Sequence, residues 1–398
     1  MAEARTETQR RSGWRQLIAV ATALALSACA VVPRRPVDTP PPPPPTTRPV
    51  EPRPIQPGIP EDTNRHRVAL LVPLSGTNAA VGRSLANATQ MALLDANAQQ
   101  VRITSYDTAT GAAAAAQRAI AEGNRLILGP LLSEDVRAVA PIARAARVPV
   151  VSFSNDASVA GRGAYIMGYT PSQSIERVVS YAKSRGLTSF GGLIPTGVYG
   201  ERASTSFLRA VEQAGGQVAS LQTFDRAPAS VTAAVGRLAK AGPFQAVLVA
   251  DSAATAATAA PALKRGAGAS VRLLGTELWN TDTGLSGRTA LSGGWFASVS
   301  DNLYRQYAQR YRARFGSGPY RLSSMGYDAV LLTVRIARDW RVGTAFPEAE
   351  LTDTGGYSGI DGPFRFARDG VAERALAVQE VRGGTIVTVS PAPASFAK

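Results

Sequence analysis

The stretch RVALLVPLSGTNAAVGRSLANATQMALLDA, residues 67–96, holds two periodicities joined by a turn. RVALLV (67–72) is a short, almost wholly apolar run, the pattern of a strand buried on both faces. Pro73-Leu74-Ser75-Gly76-Thr77-Asn78 is turn chemistry, after which the period changes from a continuous run to 3.6. Val81, Leu85, Ala88, Met91 and Ala92 fall on one helical face, and Asn78 stands where an N-cap is expected. A buried strand, a tight turn and an amphipathic helix make the first half of a βα unit.

The same unit repeats downstream. Strand VRITSYD (101–107), helix AAAAAQRAIAEG (112–123), strand RLILG (125–129), a helix beginning near Ser133 and strand VPVVSF (148–153) follow in order. Pro141 is expected to kink or divide that last helix. The alternation then restarts: helices at 172–186, 201–216 and 230–242 and one through PALKRG (261–266) separate strands FGGLIP, QVASLQTF, QAVLVA and VRLLGT. WFASVS (295–300) precedes two more helices, NLYRQYAQRYRARFG and SMGYDAVLLTVRIARDW, and a hairpin-like pair, ALAVQEV and TIVTVS, turns through Gly383-Gly384. Strands alternating with helices predict parallel sheets covered on both faces, and two such runs predict two lobes.

Upstream, the chain changes character. AVVPRRPVDTPPPPPPTTRPVEPRPIQPGIPEDTNR, ending at Arg65, is too rich in proline for helix or sheet and favours polyproline II. At roughly 3.1 Å per residue it would reach on the order of 100 Å as a semi-rigid spacer, and a passive linker is the plainer reading. Before it, the basic Arg10, Arg11 and Arg15 precede the apolar LIAVATALALSA (17–28), which is short for a membrane span. With Leu26-Ser27-Ala28-Cys29, this resembles a bacterial lipobox, which implies a signal peptide over 1–28 and lipidation of Cys29 at the head of a 29–65 linker.

Cys29 is the one cysteine and His66 the one histidine, so an intramolecular disulfide is excluded and histidine-based triads or metal sites have little to build on. There is no P-loop and no G-x-S-x-G elbow. A pair of carboxylates could in principle hydrolyse glycosides, at a separation that sequence does not give. The expectation is a protein without enzymatic activity, cofactor or metal. A formal net charge of +14 raises a nucleic-acid reading, but the charge is scattered arginine with no basic cluster or binding motif, so no nucleic-acid partner is expected. Two readings of the charge stay open: attraction to anionic envelope polymers or lipids, or plain solvated arginine.

LLVPLSGTNAAVGRSLANATQMAL, LILGPLLSEDVRAVAPIARAARVPVVSFSND, VYGERASTSFLRAVEQAGGQV, LLGTELW and MGYDAVLL resemble, in order, the landmarks of type I periplasmic binding proteins of the leucine/isoleucine/valine-binding group. The resemblance covers about 66–390 and implies an α/β fold of two Rossmann-like lobes with parallel sheets, three crossovers and an interlobe cleft. Crossovers near 168, 299 and 358 would assign 66–167 plus 300–357 to lobe 1 and 168–299 plus 358–398 to lobe 2. Ligands in such sheets sit beyond the carboxyl ends of the strands, near helix N-termini. That position marks Ser75, Gly76, Ser133, Ser154, Asn155 and Asp156 on one side and Tyr199, Asp251 and Glu277 on the other. In the group's amino-acid binders, a hydroxyl and backbone amides hold the carboxylate, and an acid in the position of Glu277 takes the ammonium. Ser75, Ser133 and Asn155 are also ordinary caps and turn formers. Where those binders place an aromatic ring early in the first helix, this chain has Val81.

Two functions fit. The fold also occurs in outer-membrane lipoproteins that activate penicillin-binding proteins, and the lipobox, the proline-rich segment and Ala30 after the cysteine make the whole chain look more like those. That resemblance implies a regulator of peptidoglycan synthesis, held by its lipid on the periplasmic face of the envelope and touching a synthase. Against it, enterobacterial activators carry a helical-repeat domain ahead of this fold, for which there is no room. The alternative is a receptor that binds a small amino-acid-like solute and serves an ABC permease.

Overall fold

The structure is a computed structural model that describes residues 64–266, 268, 270–393 and 396. The expected leader, the lipidation of Cys29 and nearly all of the proline-rich segment lie outside the described residues.

The quoted stretch forms β1 (His66–Val72) and α1 (Ala79–Asp95). β2 (Val101–Asp107), α2 (Ala112–Ala121), β3 (Leu126–Leu128), α3 (Ser133–Ala145), β4 (Val150–Ser152) and β5 (Ala164–Ile166) follow. The five strands make one parallel sheet in the order β2-β1-β3-β4-β5. Val68, Leu70 and Val72 turn to one face of it, with Leu85 of α1; Ala69 and Leu71 turn to the other, with Ala116 and Val139. Both faces are therefore covered, as the apolar runs require. Two local expectations differ. Asn78 precedes α1 but its side chain makes no capping hydrogen bond. Pro141 does not divide α3, because it sits on an exposed face near the C-terminal end, where water can serve the carbonyl that lost its donor.

The chain leaves the first sheet after Ile166 and enters α4 (Pro171–Ser184). β6 (Ser189–Pro195), α5 (Val198–Gln213), β7 (Gln217–Phe224), α6 (Pro228–Lys240), β8 (Ala246–Val249), α7 (Ala253–Gly266), β9 (Arg272–Gly275) and β10 (Trp295–Ser298) build the second lobe. α8 (Asn302–Phe315) and α9 (Ser323–Ala337) return to the first lobe, where Met325, Ala329 and Leu332 join the cluster around Val68 and Leu70. A small antiparallel sheet, β11 (Tyr357–Gly359), β12 (Gly362–Phe366) and β13 (Ala372–Arg374), comes next. β14 (Ala377–Arg382) and β15 (Thr385–Ser390) then add antiparallel strands to the second sheet, giving the order β15-β14-β10-β9-β8-β6-β7.

The third crossing differs from its expected place near 358. Tyr357, Phe364, Phe366 and Ala372 pack with Val68 and Leu70, and the chain rejoins the second sheet only at Ala377. The cause is Asp328 on α9, which accepts the N–H groups of Ile360 at 2.6 Å and Asp361 at 3.3 Å and holds the β11–β12 turn on the first lobe. Glycine is required beside it, since a Cβ on Gly359 would stand 2.3 Å from the Asp328 carboxyl carbon.

Candidate functional site

A cavity of about 490 Å³ opens between the two sheets. Its first-lobe wall is Asn78, Val81, Leu131, Leu132, Phe153 and Asn155, continued by Tyr320, Arg321, Leu322 and Met325 at the start of α9. Ser174 of α4, Glu277, Leu278, Asn280 and Ser298 form the second-lobe wall, and Tyr169, Thr170, Gln173, Val299, Arg374 and Leu376 line it where the chain crosses.

Glu277 follows β9 directly. Trp279 folds back over the end of that strand, and only a residue without a side chain permits this, because a Cβ on Gly275 would lie 2.2 Å from the indole. Fully buried Trp279 thus sets the turn that carries Glu277 into the cavity wall. The Tyr199 hydroxyl donates to Glu277 Oε1 at 3.0 Å and lies 3.0 Å from Thr276 Oγ1, while the Ser174 hydroxyl donates to Oε2. Burial pushes the Glu277 carboxyl above its ordinary range, and these donors oppose that without cancelling it. The site therefore has a carboxyl group whose ionised form is under-stabilised until a further donor or cation arrives.

Of the other residues marked from sequence, Asn155 lines the cavity and Tyr199 stands behind Glu277. The rest have local work instead. Ser75 donates to Asp107 at 2.6 Å, and Gly76, at φ +70°, closes the same turn. Ser133 begins α3 and accepts from Arg137 at 3.4 Å; buried Ser154 accepts the N–H of Asp156 at 3.1 Å. Asp251 accepts from Ser252 N at 2.6 Å, Thr255 Oγ1 at 3.0 Å and Arg226 Nε at 2.8 Å, a cap at the start of α7. Carboxylates and hydroxyls at strand ends suit turns as well as ligands, and here the turns take them.

Asp156 has a different role. It accepts from Ser158 N at 2.8 Å and Arg137 at 3.0 Å within the first lobe, and from Arg202 of α5 in the second. Burial works against its charge, yet Arg202 and Ser158 hold its carboxyl below the usual range. Arg202 also reaches Ser158 Oγ at 3.0 Å, so the pair ties the two lobes together. Arg202→Ala is expected to shift the body toward a more open shape, seen as a larger radius of gyration in small-angle scattering; an unchanged profile would remove the tie from the account.

The largest omission from the sequence reading is a buried polar cluster at the crossings. Arg321 Nη1 donates to Asp361 at 2.7 Å and to Ser324 at 2.9 Å, its Nη2 lies 3.5 Å from Asp301, and its guanidinium stacks 4.0 Å from the Tyr304 ring centre. Tyr169 and Ser324 donate to the other Asp361 oxygen. Tyr169 comes from the first crossing, Asp301 from the second and Asp361 from the turn before the third. Burial opposes ionisation of Asp361, but Arg321 and Arg374 keep it below the ordinary carboxylate range. Burial together with the Asp361 charge pushes Asp328 up to about 7. The stability that neutral Asp328 contributes is complete below about pH 4, its unfolded value, and is lost as pH rises through about 7. Urea midpoints should thus fall from pH 5 to pH 8, and Asp328→Asn should flatten that slope. Asp361, shifted the other way, acts only below about pH 4 and does not confuse the reading.

A family model described as "Periplasmic binding protein" matches residues 66–385. Among curated proteins, an uncharacterized protein of Rickettsia prowazekii is 25% identical over 170 residues, 42% of this chain and 46% of that protein, so the match spans about half the relative's length. Among solved structures, a protein described as a branched-chain amino acid ABC transporter from Rhodospirillum rubrum is 22% identical with a TM-score of 0.71, covering 82% of this chain and 100% of that one. A solute-binding protein of an ABC transporter from R. palustris, in complex with 4-hydroxybenzoate, is 18% identical with a TM-score of 0.66, over 83% and 97%. At these identities the structural likenesses speak for the fold.

Proposed function

The chain belongs to the periplasmic binding protein family, and from that premise we propose that its body is a receptor that closes on a small solute and presents it to a membrane permease. The observation that carries this reading is Glu277: a buried carboxyl, already ringed by Ser174 and Tyr199, on the wall of a mostly apolar cavity. The cavity's 490 Å³ falls in the range of small-molecule sites, and its few polar groups among Val81, Leu131, Phe153, Leu278 and Met325 suit a ligand with an apolar body and polar ends. The reading gives the chain no catalytic role. Branched-chain amino acids and aromatic acids, the compounds in the descriptions of its structural neighbours, are the first to try. A metabolite screen should raise the melting temperature in a concentration-dependent way. Silence from both classes would sink the proposal.

A second reading keeps support from the lipobox-like LSAC (26–29) and the proline-rich segment after it: a lipid-anchored regulator of a penicillin-binding protein, on the periplasmic face of the outer membrane. A permease needs no long spacer from its receptor, whereas a partner across the wall does. Pull-down from envelope extracts separates the two, because a permease supports the receptor and a peptidoglycan synthase supports the regulator.

A further inference from the structure

The strands of the first sheet enter on arginines at one shared edge, the amino-terminal edge away from the cleft. Pairing sets Arg67 of β1 opposite Arg102 of β2, and the Arg67 carbonyl accepts the N–H of Arg125, just ahead of β3, at 2.9 Å. The register continues from Ile127 to Val150 to Ala164, which brings Arg147 before β4 and Arg162 before β5 to the same level. Arg125, Arg147 and Arg162 are exposed, and among the described residues their side chains have no hydrogen-bond or ion-pair partner. Of the acids nearby, Glu122 pairs with Arg118 at 2.8 Å and Glu348 accepts from Tyr165 at 2.9 Å.

Two of the three free arginines also stand where the backbone disfavours them. Arg147 has φ +56° and Arg162 φ +53°, the left-handed region that suits glycine. Arg147 follows Ala146, the C-cap of α3, at the position glycine most often takes, and Arg162 sits between Gly161 and Gly163. A side chain held there against the backbone preference, and bonded to nothing in the fold, has its use outside the fold. The second lobe serves as an internal control. Its strands enter on Ser189, Gln217, Gln245 and Arg272, and Arg272 is engaged by the Gly293 carbonyl and the Trp295 ring. Heavy use of arginine throughout the chain therefore does not explain the row.

The position of the row names its partner. The segment that follows the lipobox-like LSAC (26–29) joins the body at this edge, where Arg65 and His66 lead into β1. Trp340 stacks on His66 at 4.0 Å between the exposed Arg338 and Arg341, whose charge Asp339 offsets in part. A guanidinium matches a phosphate in charge and in fork geometry, and a basic patch supplies the second hold that a lipid anchor needs for stable attachment. We infer that the amino-terminal edge of the first lobe is a docking surface for anionic phospholipid headgroups, with Arg125, Arg147 and Arg162 on the phosphates. The surface lies away from the cleft and acts whatever the cleft binds.

The test is co-sedimentation of the full chain with vesicles of phosphatidylcholine alone and of phosphatidylcholine with phosphatidylglycerol, at low and high salt. The wild type should prefer the anionic vesicles, less so at high salt. Combining Arg125→Gln, Arg147→Gly and Arg162→Gly should lower partition onto them about 10- to 100-fold and leave partition onto phosphatidylcholine unchanged. Glycine suits both left-handed positions, so the fold should survive; should Arg125→Gln disturb it, the double glycine variant must still show a loss. A second triple, Arg185→Gln, Lys240→Gln and Arg265→Gln, removes the same charge from exposed positions on the second lobe and should change little. Equal losses from the two triples would reduce the effect to net charge and overturn the assignment. So would a wild type without preference for the anionic vesicles, including one that instead binds peptidoglycan sacculi through the same arginines.

Discussion

Arg321→Ala is expected to cost about 3–5 kcal/mol of unfolding free energy, the loss typical of breaking a buried ion pair from one side. The Arg321 side chain is 8% exposed and Asp361 is fully buried, so alanine leaves a carboxylate in the interior with the Tyr169 and Ser324 hydroxyls and the charge of Arg374, to which it has no hydrogen bond, to hold it. The variant can relieve this by protonating Asp361, which gives the prediction a signature. The loss should be largest near pH 7 and should shrink toward pH 4, where the carboxyl gains its proton cheaply. Removing the charge at both ends, in Arg321→Met with Asp361→Asn, should recover part of the stability, because the uncompensated ion is gone. Guanidinium unfolding of the three variants at two pH values is sufficient. A loss below about 1 kcal/mol, independent of pH, would show that the pair behaves as a solvated one.

That residue also shows where sequence reading stops. The β1–turn–α1 stretch was legible because its fold is written in local periodicity: Val68, Leu70 and Val72 in an apolar run, then Leu85, Ala88 and Met91 at helical spacing, all buried. The terminal hairpin was legible because Gly383 and Gly384, both at positive φ, suit a turn that other residues resist. By contrast, β11–β13 are short and carry no clear alternation, and their lobe is settled by Asp328, about thirty residues earlier on a helix. The cleft was half legible. Glu277 and Asn155 sit at strand ends, where α/β sheets place ligands, and both line the cavity. Asp156 and Asp251 share that position in sequence but are consumed by Arg202 and Arg226, partners that only tertiary structure supplies. Arg321 and Arg374 lie outside the strand-end pattern altogether, one before a helix and one ending a strand of the small third sheet. Among 43 lysines and arginines, nothing local distinguishes the few that are buried.

Glu277→Gln should separate binding from folding. The substitution keeps the shape of the side chain and an oxygen to accept from Ser174 or Tyr199, and it removes a carboxyl that burial already disfavours, so the melting temperature should hold or rise slightly. Affinity for an amine-bearing ligand such as L-leucine should nevertheless fall about 100-fold, since the ammonium loses its one buried counter-ion on this wall. An acid without an amine, such as 4-hydroxybenzoate, should be affected far less. Protons give an independent check. With its folded value raised, Glu277 retains a proton in the empty cleft at a pH where an ordinary glutamate has lost it, and an arriving ammonium favours the ionised form. Leucine binding should therefore release protons just above the usual carboxylate range, and its affinity should climb with pH until the empty site is ionised too. Titration in buffers of different ionisation enthalpy reads that release directly, and Glu277→Gln should abolish it. Proton uptake in the wild type, or leucine affinity indifferent to the substitution, would take Glu277 out of the binding site and leave it as a brace between Tyr199 and Ser174.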